Sequence, residues 1–320
     1  PMTKARENSD YTGLAADITA GDTAARAGRK NLIINGGFDV WQRGTSFTTS
    51  AEYTADRWQL QLSGGTATVT QQTFTVGQTE VPDNPTYYLK MNTTTADNNC
   101  GMFYRVEDVR NGSSQNVTVS FWAKGTNPSG GTFDFMSSQR FGAGGSSNVE
   151  ITTPLTVTSS WAKYTHTFSL ASISGKTMGT GSSLVLIIRQ SAGDTSTTAW
   201  NLNIANVQLE LGSVATDFEH RSFGEELALC QRYYQDLEFY NIPSVRGNTA
   251  GTGAIQSNIS FLVETRVAPS ITMIASGDGS GGVYAAAQTT TNSTRLYGSA
   301  SITAGHVRHG FIHCSLDAEL

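Results

Sequence analysis

NLIINGGFDVWQRG, residues 31–44, decides how the rest of the chain is read. Leu32, Ile33 and Ile34 form a short apolar run that meets Asn35, Gly36 and Gly37. Phe38, Val40 and Trp41 then alternate irregularly with Asp39. The pattern predicts a first strand, a break forced by the double glycine and a second strand entering a β-rich core. Residues 1–30 before it are small and polar with charges of both signs, too poor in apolar groups to fold alone. They are expected to be an assembly-docking arm, with folding back along the neighbouring domain as the alternative.

From 31 to 221 the sequence repeats strand, turn, strand. Apolar or alternating runs occupy residues 53–62, 66–75, 87–91, 101–109, 116–124, 132–137, 164–170, 184–190 and 202–211. Gly, Asn, Pro and Ser clusters separate them. Val117, Val119 and Phe121 alternate with Thr118, Ser120 and Trp122, the period of a half-buried strand. Many short strands without interleaved helices predict an all-β chain, with a jelly-roll β-sandwich over residues 31–221. Residues 222–240 (SFGEELALCQRYYQDLEFY) predict one connecting helix, in a segment placed at 222–243. Ser222 and Glu225 form a capping box, and Leu227, Cys230, Tyr234 and Leu237 lie on one apolar face. Residues 244–320 return to strands, predicting a small β-sandwich-like C-terminal module for trimerisation or a fibre tip.

Composition narrows the function. Only 15 % of the 320 residues are charged, against roughly 25 % in average soluble proteins, and 33 are glycine. A net charge of −5 argues against nucleic acid as a partner, which needs a basic footprint. Cys100, Cys230 and Cys314 are odd in number and widely spaced, so buried free thiols are expected rather than disulfides or zinc. No apolar run reaches the length that spans a bilayer, and residues 1–30 lack a signal peptide's apolar core. A soluble chain without membrane insertion is expected.

An ordered series of motifs then carries a likeness. NLIINGGFDVWQRGTSF, YTADRW at 53–58, SFWAKG at 120–125, SSWAKYTHTF at 159–168 and NVQLELGSVATDFEHRSFGEELALCQRYYQ at 206–235 resemble bacteriophage tail-fibre and related virion fibre proteins. Their first β-domain is similar to jelly-roll carbohydrate-binding modules. The resemblance implies a non-catalytic homotrimer on the virion that attaches to host-surface glycans, docked to other tail or baseplate proteins through the N-terminal arm. A purely structural adaptor, capsid fibre or decoration protein is the alternative, and a glycan depolymerase spike the third reading.

The resemblance also implies candidate site residues. In such jelly rolls the turn after NGGF and the late strand often hold a structural calcium ion. Asp39 and Asn206 occupy those places here, and Asn in place of an acid removes a charge and weakens the site. Sugar contact needs exposed flat aromatics beside amide or guanidinium donors. Trp122, Tyr104 and Arg189 are the candidates, expected to share one concave face, with packing as the competing role for both aromatics. Trp41, Trp58 and Trp161 are expected in the core. His306, His309 and His313 beside Cys314 read as surface or interface histidines unless three copies converge on a metal. A glycosidase needs two carboxylates across a cleft. Adjacent Glu107 and Asp108 point to opposite sides of a strand, and Glu225 and Glu226 suit a helix's first turn. No catalytic residues are therefore expected.

Overall fold

A computed structural model describes residues 30–95, 99–129, 131–191, 197–243, 251–277, 283–287, 289–302 and 309–319. The expected docking arm, apart from Lys30, lies outside them. The chain forms two compact units, the first ending at Arg221 and the second running from Ser222 to Glu319.

The first unit is an antiparallel jelly-roll sandwich. One sheet has six strands in the order β1 (Ser46–Phe47), β3 (Thr66–Thr73), β4 (Tyr87–Thr95), β11 (Asn201–Leu211), β6 (Asn116–Thr126) and β9 (Ala162–Ser169). The other has five: β2 (Trp58–Gln61), β5 (Gly101–Glu107), β10 (Ser183–Gln190), β7 (Phe133–Arg140) and β8 (Val149–Leu155). Alternation along each strand divides its side chains between the core and an outer face. Thus Val117, Val119, Phe121 and Ala123 of β6 face Leu184, Leu186 and Ile188 of β10 across one core that also holds Trp58, Phe133, Phe135 and Trp200. Each such buried aliphatic or aromatic side chain contributes about 1.5–3 kcal/mol. Strand β8 lies at the sheet edge, paired with β7, and it carries Pro154, a residue that sheets confine largely to their edges.

Residues 31–44 do not form the two strands expected of them. They are a turn pressed into the core: Ile33 and Phe38 are fully buried and Val40 nearly so, yet none lies in a ladder strand. Asn35 is the cause. It adopts the left-handed region at φ 59°, which Asn tolerates. Its amide donates to the carbonyls of Val40 (2.7 Å) and Asp56 (3.1 Å), and its carbonyl oxygen accepts from the Val40 N–H (3.0 Å). Gly36 lies so close to β11 that a Cβ there would stand 2.1 Å from the Val207 carbonyl oxygen.

In the second unit, α1 (Phe223–Gln231) starts at the expected capping box: the Ser222 hydroxyl accepts from the Glu225 N–H (3.3 Å) and the Glu225 carboxylate accepts from the Ser222 N–H (3.1 Å). The helix ends at Gln231 rather than Tyr240, a correction with a local reason. From Tyr234 the chain is strand β12 (Tyr234–Pro243), in which buried Gln235 and Leu237 alternate with exposed Asp236 and Glu238. The Gln235 amide fixes this start by donating to the Val263 carbonyl (2.6 Å) and accepting from the Leu262 N–H (3.0 Å). The apolar spacing that resembled a helix face was partly strand alternation. Two three-stranded antiparallel sheets complete the unit: β12 with β17 (His309–Asp317) and β14 (Ser270–Gly277), and β13 (Gly251–Ser260) with β16 (Ser293–Ile302) and β15 (Val283–Ala287).

Candidate functional site

The outer face of the five-stranded sheet gathers the chemistry. Registers place Phe103, Ile187 and Met136 side by side across β5, β10 and β7, with Val185 two residues along β10. These four side chains form an apolar floor that is at most 6 % exposed. Around it, on the same face, stand Arg105 of β5, Arg189 of β10 and Arg140 of β7, interspersed with the carboxylates of Glu107 of β5, Asp134 of β7 and Glu150 of β8. Gln59 of β2 and Ser138 of β7 share the face, and the Ser138 hydroxyl donates to Glu150 at 3.1 Å. The Arg140 guanidinium lies over the Phe103 ring, 5.8 Å from its centroid. Arg189 pairs with Asp134 at 3.6 Å and donates to the Asn99 side-chain carbonyl. Arg105 donates to the Gln59 side-chain carbonyl at 3.4 Å. Among the described residues, neither Arg105 nor Arg140 has a carboxylate within 4.0 Å. Burial, followed by the positive charges of Arg105 and Arg189, lowers the Arg140 pKa from its ordinary value, and Glu150 opposes the shift. The Nε atoms of Arg105, Arg140 and Arg189 are buried without a hydrogen-bond partner among the described residues.

The three sequence candidates for sugar contact do not share a face. Arg189 belongs to the outer face just described. Tyr104 is 1 % exposed in the core, its ring 4.9 Å from that of Trp58 and its hydroxyl accepting from the Ile34 N–H at 2.6 Å. The register explains it: Tyr104 alternates with Phe103 and Arg105, so if those point outward Tyr104 points in. Trp122 lies on the far side of the molecule's first unit, on the outer face of the six-stranded sheet. It packs there against a cluster of Phe74, Val81, Trp161 and Ala205. Arg105 and Arg140 were missed because each stands in a mixed polar strand. Only cross-strand register brings them beside Arg189.

Trp122 and Asn206 do line one small cavity of about 60 Å³, with Ser120, Lys163, Asp217 and Phe218. That is far below the roughly 300 Å³ at which ligand pockets begin. Asn206 is buried at a bulge in β11 with φ 48°, and Asp39 is exposed with its carboxylate directed back toward Gly37. The neighbouring carbonyls are already engaged. That of Asn35 accepts from the Trp58 indole, that of Gly36 from the Val207 N–H, that of Phe38 from the Trp41 indole and that of Val207 from Asn31. Asp39 and Asn206 supply two of the six to eight oxygen ligands that calcium takes, a poor donor set by themselves. Among the described residues no group of three or more His, Cys, Asp or Glu side chains converges.

Of the other sequence candidates, Trp58 is core, Trp41 half-buried against it and Trp161 part of the Trp122 cluster. The three cysteines are free and buried. His313 is held by Asp236 at 2.7 Å, while Cys314 beside it faces the core of the second unit. The side chains of His306 and His309 lie outside the described residues. A second opening, about 220 Å³, lies between edge strands β8 and β9 and is lined by Phe121, Phe135, Tyr164 and His166. Burial lowers the His166 pKa from its ordinary value.

The last motif of the sequence series closes the sandwich. Glu219 accepts from the backbone N–H groups of Lys30 (3.0 Å) and Asn31 (2.7 Å), and Arg221 donates to the carbonyls of Ile33 and Asn31. Buried Glu210 accepts from Gln208 and from both polar groups of Thr216. The first and last residues of the jelly roll are thereby tied together.

No protein-family model matches the chain, and no curated protein matches it. Among solved structures it is similar to the second family 22 xylan-binding module of Xyn10C from Paenibacillus barcinonensis, at 15 % identity and a TM-score of 0.32, covering 52 % of this chain and 99 % of that one. The family 11 carbohydrate-binding module of the Clostridium thermocellum cellulase Lic26A-Cel5E matches at 17 % and 0.33, covering 53 % and 96 %. The enzymatically active domain of tailspike protein 4 from bacteriophage CBA120 matches at 14 % and 0.33, covering 57 % of this chain and 21 % of that one. At these values the likenesses carry no argument about ligand or activity. The jelly roll rests on the strand order above.

Proposed function

We propose that the chain is a non-catalytic, virion-borne fibre or receptor-binding protein that attaches to host-surface glycan through the outer face of the five-stranded sheet. The observation behind it is the cluster of Arg105, Arg140 and Arg189 around an apolar floor, on a face of regular strands. Guanidinium forks and the Gln59 amide are donors suited to sugar oxygens, and rigid strands hold such donors in place without an ordering cost at binding. The phage assignment is supported by the ordered sequence motifs. In this reading residues 1–30 dock the subunit to the particle, the second unit assembles a homotrimer, and many weak sites per virion give avidity.

One observation favours the purely structural alternative: Phe103, the aromatic on this face, is covered, so it offers no flat platform to a pyranose. Retention of the purified chain on a panel of immobilised bacterial surface polysaccharides separates the readings. The proposal expects retention by at least one of them without release of reducing ends. Retention by none supports a structural part, and release of reducing ends supports a depolymerase.

A further inference from the structure

Three guanidiniums converging on one face of a chain with net charge −5 need a reason. Stability does not supply it. Like charges repel, and the arginines are half-buried, where water screens them less. Among the described residues only Arg189 of the three has a carboxylate within 4.0 Å, and it shares Asp134 with the Ser191 hydroxyl (2.6 Å). Arg140 lies over an aromatic ring with Glu150 as a more distant counter-charge, which keeps its fork in place and leaves its terminal nitrogens without a carboxylate within 4.0 Å among the described residues. The floor beneath is closed, so this face presents nitrogen donors to a ligand rather than rings.

We infer that this face selects acidic glycans, taking the carboxylate or sulfate of a sugar unit between the Arg105 and Arg140 guanidiniums with Arg189 beside them. The inference rests on the glycan-binding reading and narrows it. A planar guanidinium meets an oxyanion with two parallel hydrogen bonds, a geometry that lysine does not reproduce. Glu107, Asp134 and Glu150 share the face but, among the described residues, none stands within 4.0 Å of Arg105 or Arg140, so an oxyanion between these two gives both a close partner and relieves their mutual repulsion. A neutral sugar does neither.

Isothermal titration of the full chain with oligogalacturonate, with its fully methyl-esterified counterpart, with dextran sulfate and with dextran tests it. Binding to one or both acidic ligands is expected, at least about tenfold tighter than to its neutral match, and weaker as salt rises from about 50 to about 300 mM. The acid bound more tightly identifies whether carboxylate or sulfate is the preferred group. Arg140→Gln and Arg105→Gln are each expected to lose at least about tenfold. Arg140→Lys, which keeps the charge, is expected to recover only part, and near-ultraviolet circular dichroism checks that each variant is folded. Equal affinity for the acidic and neutral members of a pair overturns the inference and leaves glycan binding intact. Acidic binding that Arg140→Gln and Arg105→Gln leave unchanged also overturns it, because the anion then sits elsewhere. Binding of none of the four overturns this inference, and retention on the polysaccharide panel then decides the glycan reading separately.

Discussion

The guanidinium carbon of Arg140 sits 5.8 Å from the centroid of the Phe103 ring, although the two residues belong to strands separated by β10. The contact spans the middle of the five-stranded sheet and sets where the fork points. Phe103→Leu keeps the floor apolar at a stability cost under about 1.5 kcal/mol. It removes the ring that steadies Arg140, an interaction worth about 0.5–1 kcal/mol at a solvent-facing site. Affinity for an acidic glycan is expected to fall a few-fold with little change in melting temperature. An unchanged affinity means that the ring does not position Arg140.

Glu219 predicts how the first unit responds to acid. Burial raises its pKa, but the Asn31 and Lys30 N–H groups and Arg221 outweigh this and hold it below the usual 4.5. A carboxyl depressed in the folded state contributes stability that is fully present above the unfolded value and lost as pH falls through the folded one. Thermal melts should therefore lose stability below about pH 4.5, and Glu219→Gln should flatten that loss. At neutral pH the variant should be less stable by about 2 kcal/mol, as for lost hydrogen bonds to a charged group. Equal acid sensitivity in both proteins contradicts this role.

Gly36→Ala probes the close approach of the 31–44 turn to β11. With a Cβ 2.1 Å from the Val207 carbonyl oxygen, the backbone must shift and the Val207 N–H to Gly36 carbonyl bond (2.9 Å) must lengthen. A loss of about 1–3 kcal/mol is expected by denaturant melting. A neutral substitution contradicts the packing described.

Cys100, Cys230 and Cys314 are buried, and burial followed by Asp236 raises the Cys314 pKa to about 11. Ellman's reagent at pH 8 is expected to label none of the three thiols rapidly in native protein and all three in guanidinium chloride. Rapid labelling of one native thiol contradicts the burial.

The poor donor set at Asp39 and Asn206 predicts little response to calcium. Millimolar calcium and a chelator should give melting temperatures equal within about a degree, since a tight folded-state ligand raises the midpoint by mass action. A rise of several degrees that Asp39→Asn abolishes would establish a site there.

Alternation along single strands made the sandwich readable. Val117, Val119 and Phe121 announce a buried face without reference to any other strand. Features set by other strands were not readable. Leu32, Ile33 and Ile34 resemble a strand locally, but Asn35 bonded to Val40 and Asp56 turns them into a plug. Tyr234 and Leu237 resemble part of a helix face until pairing with β17 imposes period two. The candidate face depends on register across β5, β10 and β7. Sequence found Arg189 and could not find Arg105 or Arg140 beside it. Tyr104 failed as a candidate for the same reason, because its neighbours on both sides face outward.

Nitrogen-15 spectra recorded during titration with the tighter of the two acidic ligands report the contact face most directly. The Nε–H signals of Arg105, Arg140 and Arg189 are expected to shift together and saturably, while the Trp122 indole signal on the opposite sheet stays in place. Movement of the Trp122 signal with the three arginine signals unmoved would place the ligand on the six-stranded sheet and contradict the account.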